Sequence, residues 1–176
     1  MPQLATEHLL KEHREIEKIL AELDIALAPF RNKTPITAEE TKTLCGVSCQ
    51  LLEQLLPHLA KEDRVLYPAL EEFLPRYEGP LAVLRGDQGV LLAHSERLRD
   101  AGRGLSALEP PQVAHEFHAA ACTTLRLARD HIYKQEIVFF PMIVRFVSPE
   151  RDAQLLARME ALSGEEGPGP ARNLGA

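Results

Sequence analysis

At 176 residues the chain is long enough for one domain with a real core and too short to expect two. Apolar residues make up 45% and aromatic ones 5%, Trp is absent, and Leu and Ala dominate, a composition that favours helices over a sheet. The net charge of -6 and the lack of a basic cluster argue against nucleic acid as a partner.

The first stretch, MPQLATEHLLKEH, carries charges where a secretory signal needs an apolar core. Apolar residues Leu9, Ile16, Leu20, Leu23 and Leu27 then step by three and four, which predicts an amphipathic helix over 5–28, ending before Pro29. Thr37-Ala-Glu-Glu40 has the form of a capping box and opens a second helix. Its stripe runs through Leu44, Val47, Leu51, Leu55, Val65 and Ala69 and stops near Leu74-Pro75. Pro57 and Pro68 lie inside it, and each is expected to bend it by removing a donor. Gly79-Pro80 opens a third helix with Leu84, Leu91, Leu98, Leu105 and Leu108 on one side, closed by Glu109-Pro110-Pro111. A fourth helix is predicted over about 112–147, with Phe117, Leu127, Val138 and Met142 facing in. Ser148-Pro149 supplies a cap and a first-turn proline for a short fifth helix, Glu150 to Leu162. The reading is an all-α, up-down-up-down antiparallel four-helix bundle over 1–162, with 163–176 as a disordered tail. The longest apolar run, Ile137 to Val144, is far shorter than the roughly 20 residues of a bilayer span, so no membrane is expected. Cysteines 45, 49 and 122 form no CxxC pair, and a reducing cytoplasm is the expected location.

Four histidines fall on the apolar stripes, one per long helix: His13, His58, His94 and His131. At about 1.5 Å per residue, His58 and His131 lie roughly 22 and 24 Å before the ends of their helices, and His94 lies roughly 20 Å into its own. In an antiparallel bundle these depths are measured from one end, so the imidazoles are expected in neighbouring layers. Any one of them is ordinary as a hydrogen-bonded core histidine. Four together, with Glu62 one turn after His58, cannot all find partners among leucines, and a cation satisfies every lone pair. His8, His115, His118, Tyr133, Lys61, Asp63 and Lys134 read as helix-end or solvated positions. A hydrophobic pocket lined by Leu55, Leu91, Leu98, Leu127 and Val138 is expected to flank the site.

The frame of the site is written twice, as HLAKEDRVLYP from His58 and as HIYKQEIVFFP from His131. Together with the lone histidines in KEHREIEKIL and LLAHSERLRDAG, it resembles the hemerythrin HHE cation-binding family over about residues 5–147. The doubled frame then marks an internal two-helix repeat. The resemblance implies a non-haem di-iron centre, that is two iron ions, with histidines as terminal ligands and two carboxylates as bridges. Oxygen-carrying members add a histidine four residues after the third-helix ligand, where this chain has Leu98, which implies a position on one iron that is open or filled by water.

The second copy raises a choice. Helix phase favours Gln135, four residues after His131, while a bridge between cations calls for a carboxylate and the next residue is Glu136. Its long side chain, and a π-bulge ahead of Pro141, are expected to bring Glu136 inward. The family resemblance agrees, because oxygen-carrying members place their second carboxylate five residues after its histidine. The expected metal ligands are therefore His13, His58, Glu62, His94, His131 and Glu136, with Gln135 in a supporting hydrogen bond. The expected function is reversible binding or sensing of dioxygen or a related molecule such as nitric oxide. The alternative is a di-iron enzyme acting on peroxide or a small substrate.

Overall fold

A computed structural model describes residues 4–31, 36–105 and 111–165, and among these there are helices and turns but no strand. In chain order the elements are α1 (Leu4–Ala26), α2 (Ala28–Arg31), α3 (Ala38–Lys61), a π-helical turn (Glu62–Leu66) and α4 (Tyr67–Leu70). They continue with α5 (Gly79–Gly104), α6 (Pro111–Lys134), a second π-helical turn (Gln135–Phe139), α7 (Phe140–Phe146) and α8 (Pro149–Glu165). None of these helices is long and apolar enough to cross a membrane.

The capping signals act where the sequence places them. Thr37 accepts from the Glu40 N–H while the Glu40 carboxylate takes the Thr37 N–H, the reciprocal capping box. The Arg151 N–H donates to Ser148 Oγ at 3.3 Å, so Ser148 caps α8. Gly79 starts α5 at φ +72, a conformation that glycine adopts without steric cost. Helix α8 runs to Glu165, so the boundary expected at residue 162 falls within a helix. The tail expected beyond it lies, from residue 166 on, outside the described residues, as do Leu108 and the Glu109-Pro110 part of the third helix's end.

Of the two prolines expected to bend the second helix, Pro57 lies inside α3 with no widened turn, whereas Pro68, like Pro141, follows one. The N–H of Tyr67 bonds to the Glu62 carbonyl and that of Phe140 to the Gln135 carbonyl, each five residues back. A proline follows directly in each case, with no N–H to offer and a ring that crowds the carbonyl four residues earlier, so the backbone ahead of it opens by one residue. The extra residue changes which side chains face in. Phe139, Phe140 and Ile143 are buried, whereas Val138 is 47% exposed and Met142 is only half-buried. The inward stripe expected through Val138 is corrected accordingly.

Helix α1 packs against α3, α6 and α8, while α5 packs against α3 and α6. The interior holds two apolar clusters. One gathers Leu20, Leu44, Leu55, Leu91, Leu98 and Phe117, and the other Leu9, Val65, Leu84, Phe139, Ile143 and Met159. Helix α8 belongs to the second cluster and also caps α1, because buried Asp152 accepts from the Leu4 N–H at 2.6 Å and the Ala5 N–H at 3.2 Å. Along α1 and α5 the residue between the clusters is polar, His13 and Gln88. Helices α3 and α6 stay within the first cluster as far as Leu59 and Ile132, and the change of cluster falls at Glu62 and Gln135, one turn after His58 and His131.

Candidate metal centre

The polar layer between the clusters is dry. His13, His58, Glu62, His131, Gln135 and Tyr67 are all at most 1% exposed. His58 and Glu62 share a face because they are four residues apart on helical backbone, and His131 and Gln135 repeat that spacing on α6. The inward nitrogens converge. His13 Nε2 lies 3.1 Å from His58 Nε2 and 2.9 Å from Gln135 Oε1, and His58 Nε2 lies 2.9 Å from Glu62 Oε1. On the other side of the same carboxylate, Glu62 Oε2 is 3.1 Å from His131 Nε2 and 3.3 Å from the Tyr67 hydroxyl. The Gln135 amide donates to Glu62 Oε1 at 2.5 Å, which turns its carbonyl oxygen toward His13.

The outer nitrogens decide what the inner ones can be. His58 Nδ1 is 2.9 Å from Glu12 and His13 Nδ1 is 2.9 Å from Glu136, and a carboxylate there requires N–H on both. In their neutral forms the two rings therefore point bare Nε2 lone pairs at each other across 3.1 Å, beside two acceptor oxygens. Of these acceptors only Glu62 Oε1 has a donor, the Gln135 amide, and the two Nε2 lone pairs and the Gln135 carbonyl oxygen repel one another in a dry interior until a positive charge sits among them. His13, His58 and Glu62 each offer a ligand atom, all within 4.8 Å of one another. Two atoms held by one ion at about 2.1 Å lie roughly 3.0–3.4 Å apart at tetrahedral or octahedral angles, so the observed spacings suit a shared cation.

In the metal-free protein a proton meets part of this demand. Burial pushes the His58 imidazole down, but the Glu62 and Glu12 carboxylates outweigh it and hold it up at about 9. Burial alone would raise Glu62, yet His58 and His131 hold it well below the usual carboxylate range. Glu12 is likewise raised by burial and drawn down more strongly by His58 and Lys61, to about 2. His13 is pushed down by burial and by the charge on His58, against the opposing hydrogen bond from Glu136.

Four of the six expected ligands meet here: His13, His58, Glu62 and His131. His94 does not join them. It is half-buried in a groove beside α6, lined with Arg97, Asp100, Val113, Glu116 and Thr123, and its carbonyl accepts from the Thr124 hydroxyl at 3.2 Å. Residues 94 and 95 both satisfy three-and-four spacing between Leu91 and Leu98, and the register of α5 buries Ser95. At the depth of the other histidines α5 presents Gln88, whose amide donates to the Leu59 carbonyl at 2.6 Å. Glu136 is also outside the inner set. The π-turn starts at Gln135 rather than ahead of it, so residues 131 and 135 keep α-helical phase and Gln135 faces in, while Glu136 reaches only the outer nitrogen of His13.

Sequence reasoning missed Glu12, which fits between Leu9 and Ile16 at three-and-four spacing as well as His13 does, so periodicity alone could not single it out. It also read Lys61 as solvated. Lys61 is 6% exposed and ion-paired with Glu12, its long stem lying along the apolar wall. Of the flanking pocket, Leu55, Leu91 and Leu98 are buried together, Leu127 is half-buried and Val138 faces out.

No curated protein and no solved structure matches the chain. The family model described as the hemerythrin HHE cation binding domain matches residues 4–143. That span takes in every side chain of the polar layer and all the helices that carry them, and the chain belongs to the hemerythrin HHE cation-binding family.

Proposed function

We propose that the protein is a non-haem di-iron protein that reversibly binds or senses dioxygen or a related small molecule such as nitric oxide. The observation that carries this reading is the central position of Glu62. Its Oε1 faces the His13–His58 pair and its Oε2 faces His131, so one carboxylate has imidazole nitrogen on both sides, as a bridge between two cations requires. His13, His58, Gln135 Oε1 and Glu62 Oε1 would hold one iron, and His131 and Glu62 Oε2 the other. Bound ferrous ions would supply the electrons and open positions that a diatomic ligand needs. The chain's own part is to keep the layer dry with Leu55, Leu59, Phe139 and Phe140, and to fix the ring tautomers through Glu12 and Glu136. The pairing of α1 with α3, α3 with α5, α5 with α6 and α6 with α1 supports an up-down-up-down four-helix arrangement around the site.

Protein reduced under nitrogen and then exposed to air or nitric oxide tests the reading. Two irons per chain and a visible absorption that appears with the gas and disappears on its removal are expected. Protein that takes up no iron overturns it.

A second reading, an enzyme acting on peroxide or a small substrate, draws on Glu12. Its side chain is 22% exposed and touches both Lys61 and the outer nitrogen of His58, which makes a proton path from solvent to the layer. Sustained peroxide consumption that falls in Glu12→Gln at unchanged iron content would favour that reading over reversible binding.

A further inference from the structure

The two histidine-led frames differ nine residues after the histidine, where the first has Tyr67 and the second Phe140. The π-turn gives that position its importance. Widening to a five-residue bond sets Tyr67 on the same face as Glu62, and the ring is fully buried. Phe140 stacks on His13 at 5.4 Å and has no polar atom to offer the layer. The Tyr67 hydroxyl lies 3.3 Å from Glu62 Oε2 and 3.3 Å from the Gln135 amide nitrogen. Both distances are long for hydrogen bonds of a phenol, which centre near 2.8 Å. The 3.3 Å between the two oxygens is ordinary for neighbouring ligand atoms around one ion.

The need for a donor at this point is independent of Tyr67. Glu62 Oε1 faces the pair His13 and His58, but Glu62 Oε2 faces a single imidazole, His131. His94, the residue that sequence spacing offers for this side, stands in the groove beside α6. A cation on the Oε2 side with His131 and Glu62 alone would be poorly held. The tyrosine is also held in place: Phe139 meets its ring edge-on at 5.8 Å, and the Arg85 guanidinium lies 5.2 Å from its centroid. Arg85 is itself tied to Asp63 at 3.0 Å and to Glu71 at 2.5 Å. The guanidinium only partly offsets the burial and the Glu62 charge that otherwise keep the phenol neutral.

We infer that Tyr67 Oη is a ligand of the second iron, taking the place that His94 leaves. This rests on the di-iron reading above. On coordination the O–H bond breaks, the proton leaves to solvent, and the oxygen donates the freed pair to the ion. A hard anionic oxygen prefers ferric to ferrous iron, so an iron held there would be biased toward its oxidised state.

Metal-free protein loaded with a ferrous salt under nitrogen and then oxidised with ferricyanide tests the assignment by spectrum rather than activity. The expected wild-type result is two irons per chain, a violet phenolate-to-ferric absorption, and tyrosine ring modes in resonance Raman spectra excited within that band. The other two tyrosines, Tyr77 and Tyr133, are 83% and 63% exposed on the surface, so the signal has one source. Tyr67→Phe, which copies the residue found in the second frame, should fold, abolish the band and the ring modes, and lose up to one iron while keeping the other. Wild-type protein with two irons and no phenolate signature overturns the Tyr67 assignment and leaves the di-iron reading standing. A signature that persists in Tyr67→Phe also overturns the assignment. Protein that binds no iron overturns both.

Discussion

The two histidine-led frames share a backbone and differ in chemistry. Both run from an inward histidine through a residue four positions on, into a π-turn closed by a proline. The first frame contributes an anion and a hydroxyl, Glu62 and Tyr67, and buries its lysine, Lys61, against Glu12. The second contributes a neutral amide and a phenyl ring, Gln135 and Phe140, and sends its lysine, Lys134, to Asp87 and Asp130 near the surface. A proline with no N–H follows the turn in both frames, whereas Pro57, inside α3, leaves the helix unwidened. Charge is not repeated, so the negative charge of the inner layer comes from one helix. Around it Glu12 and Glu136 restore balance from α1 and from the second frame, one on each outer nitrogen.

The largest expected effect comes from removing the asymmetry at its source. Glu62→Gln takes away the carboxylate that faces all three imidazoles, and iron affinity should drop by more than the roughly 100-fold upper range seen for outer partners. Iron content per chain after dialysis measures it. If the variant keeps two irons, Glu62 is not the bridge. Next come the outer carboxylates: Glu12→Gln and Glu136→Gln should each weaken iron binding about 10–100-fold, since each leaves an imidazole without its orienting acceptor. Titration with ferrous iron against a competing chelator reads both, and an unchanged affinity in either would detach that residue from the site. Gln135→Glu makes the second frame like the first. A second inner carboxylate should tighten iron binding about tenfold by adding ligand charge, while costing stability in the metal-free protein through repulsion with Glu62. Looser iron binding in that variant would mean the amide is required as it stands.

The smallest effect is one of pH on the metal-free protein. The folded His58 titrates near 9 against an ordinary value of 6.5, so the stability it adds is complete below about 6.5 and is lost as pH rises through about 9. Glu12, held near 2 against an ordinary 4.5, adds stability that is complete above about 4.5 and lost as pH falls toward 2. Thermal unfolding of metal-free protein should therefore show its highest midpoint between those limits and decline on the alkaline side. An iron held by His58 as proposed would displace that proton, so iron binding should strengthen across the same alkaline window. A midpoint that stays flat from pH 6.5 to 9 would remove His58 as the proton holder.

Much of this molecule follows from local pattern. The stripe of α1, the capping box at Thr37, the Ser148 cap and the inward faces of His13, His58, Glu62 and His131 rest on helical periods of three and four and on short-range hydrogen bonds, which neighbouring residues determine. What escaped that logic depends on a rotation of about 100° or on contacts between distant segments. Residues 94 and 95 fit the same stripe equally well, and only the packing of α5 on α3 and α6 buries Ser95 and turns His94 to the groove. A π-turn is legible from its proline, but its starting residue decides between Gln135 and Glu136, and that start is set by how Phe139 and Phe140 fill the core. Glu12, Lys61 and Asp152 all fit three-and-four spacing beside buried residues, yet that spacing does not name what they touch. Their partners are the side chains and backbone of other helices, at separations in the chain where periodicity carries no information, so tertiary structure alone could bring them into the site and its support.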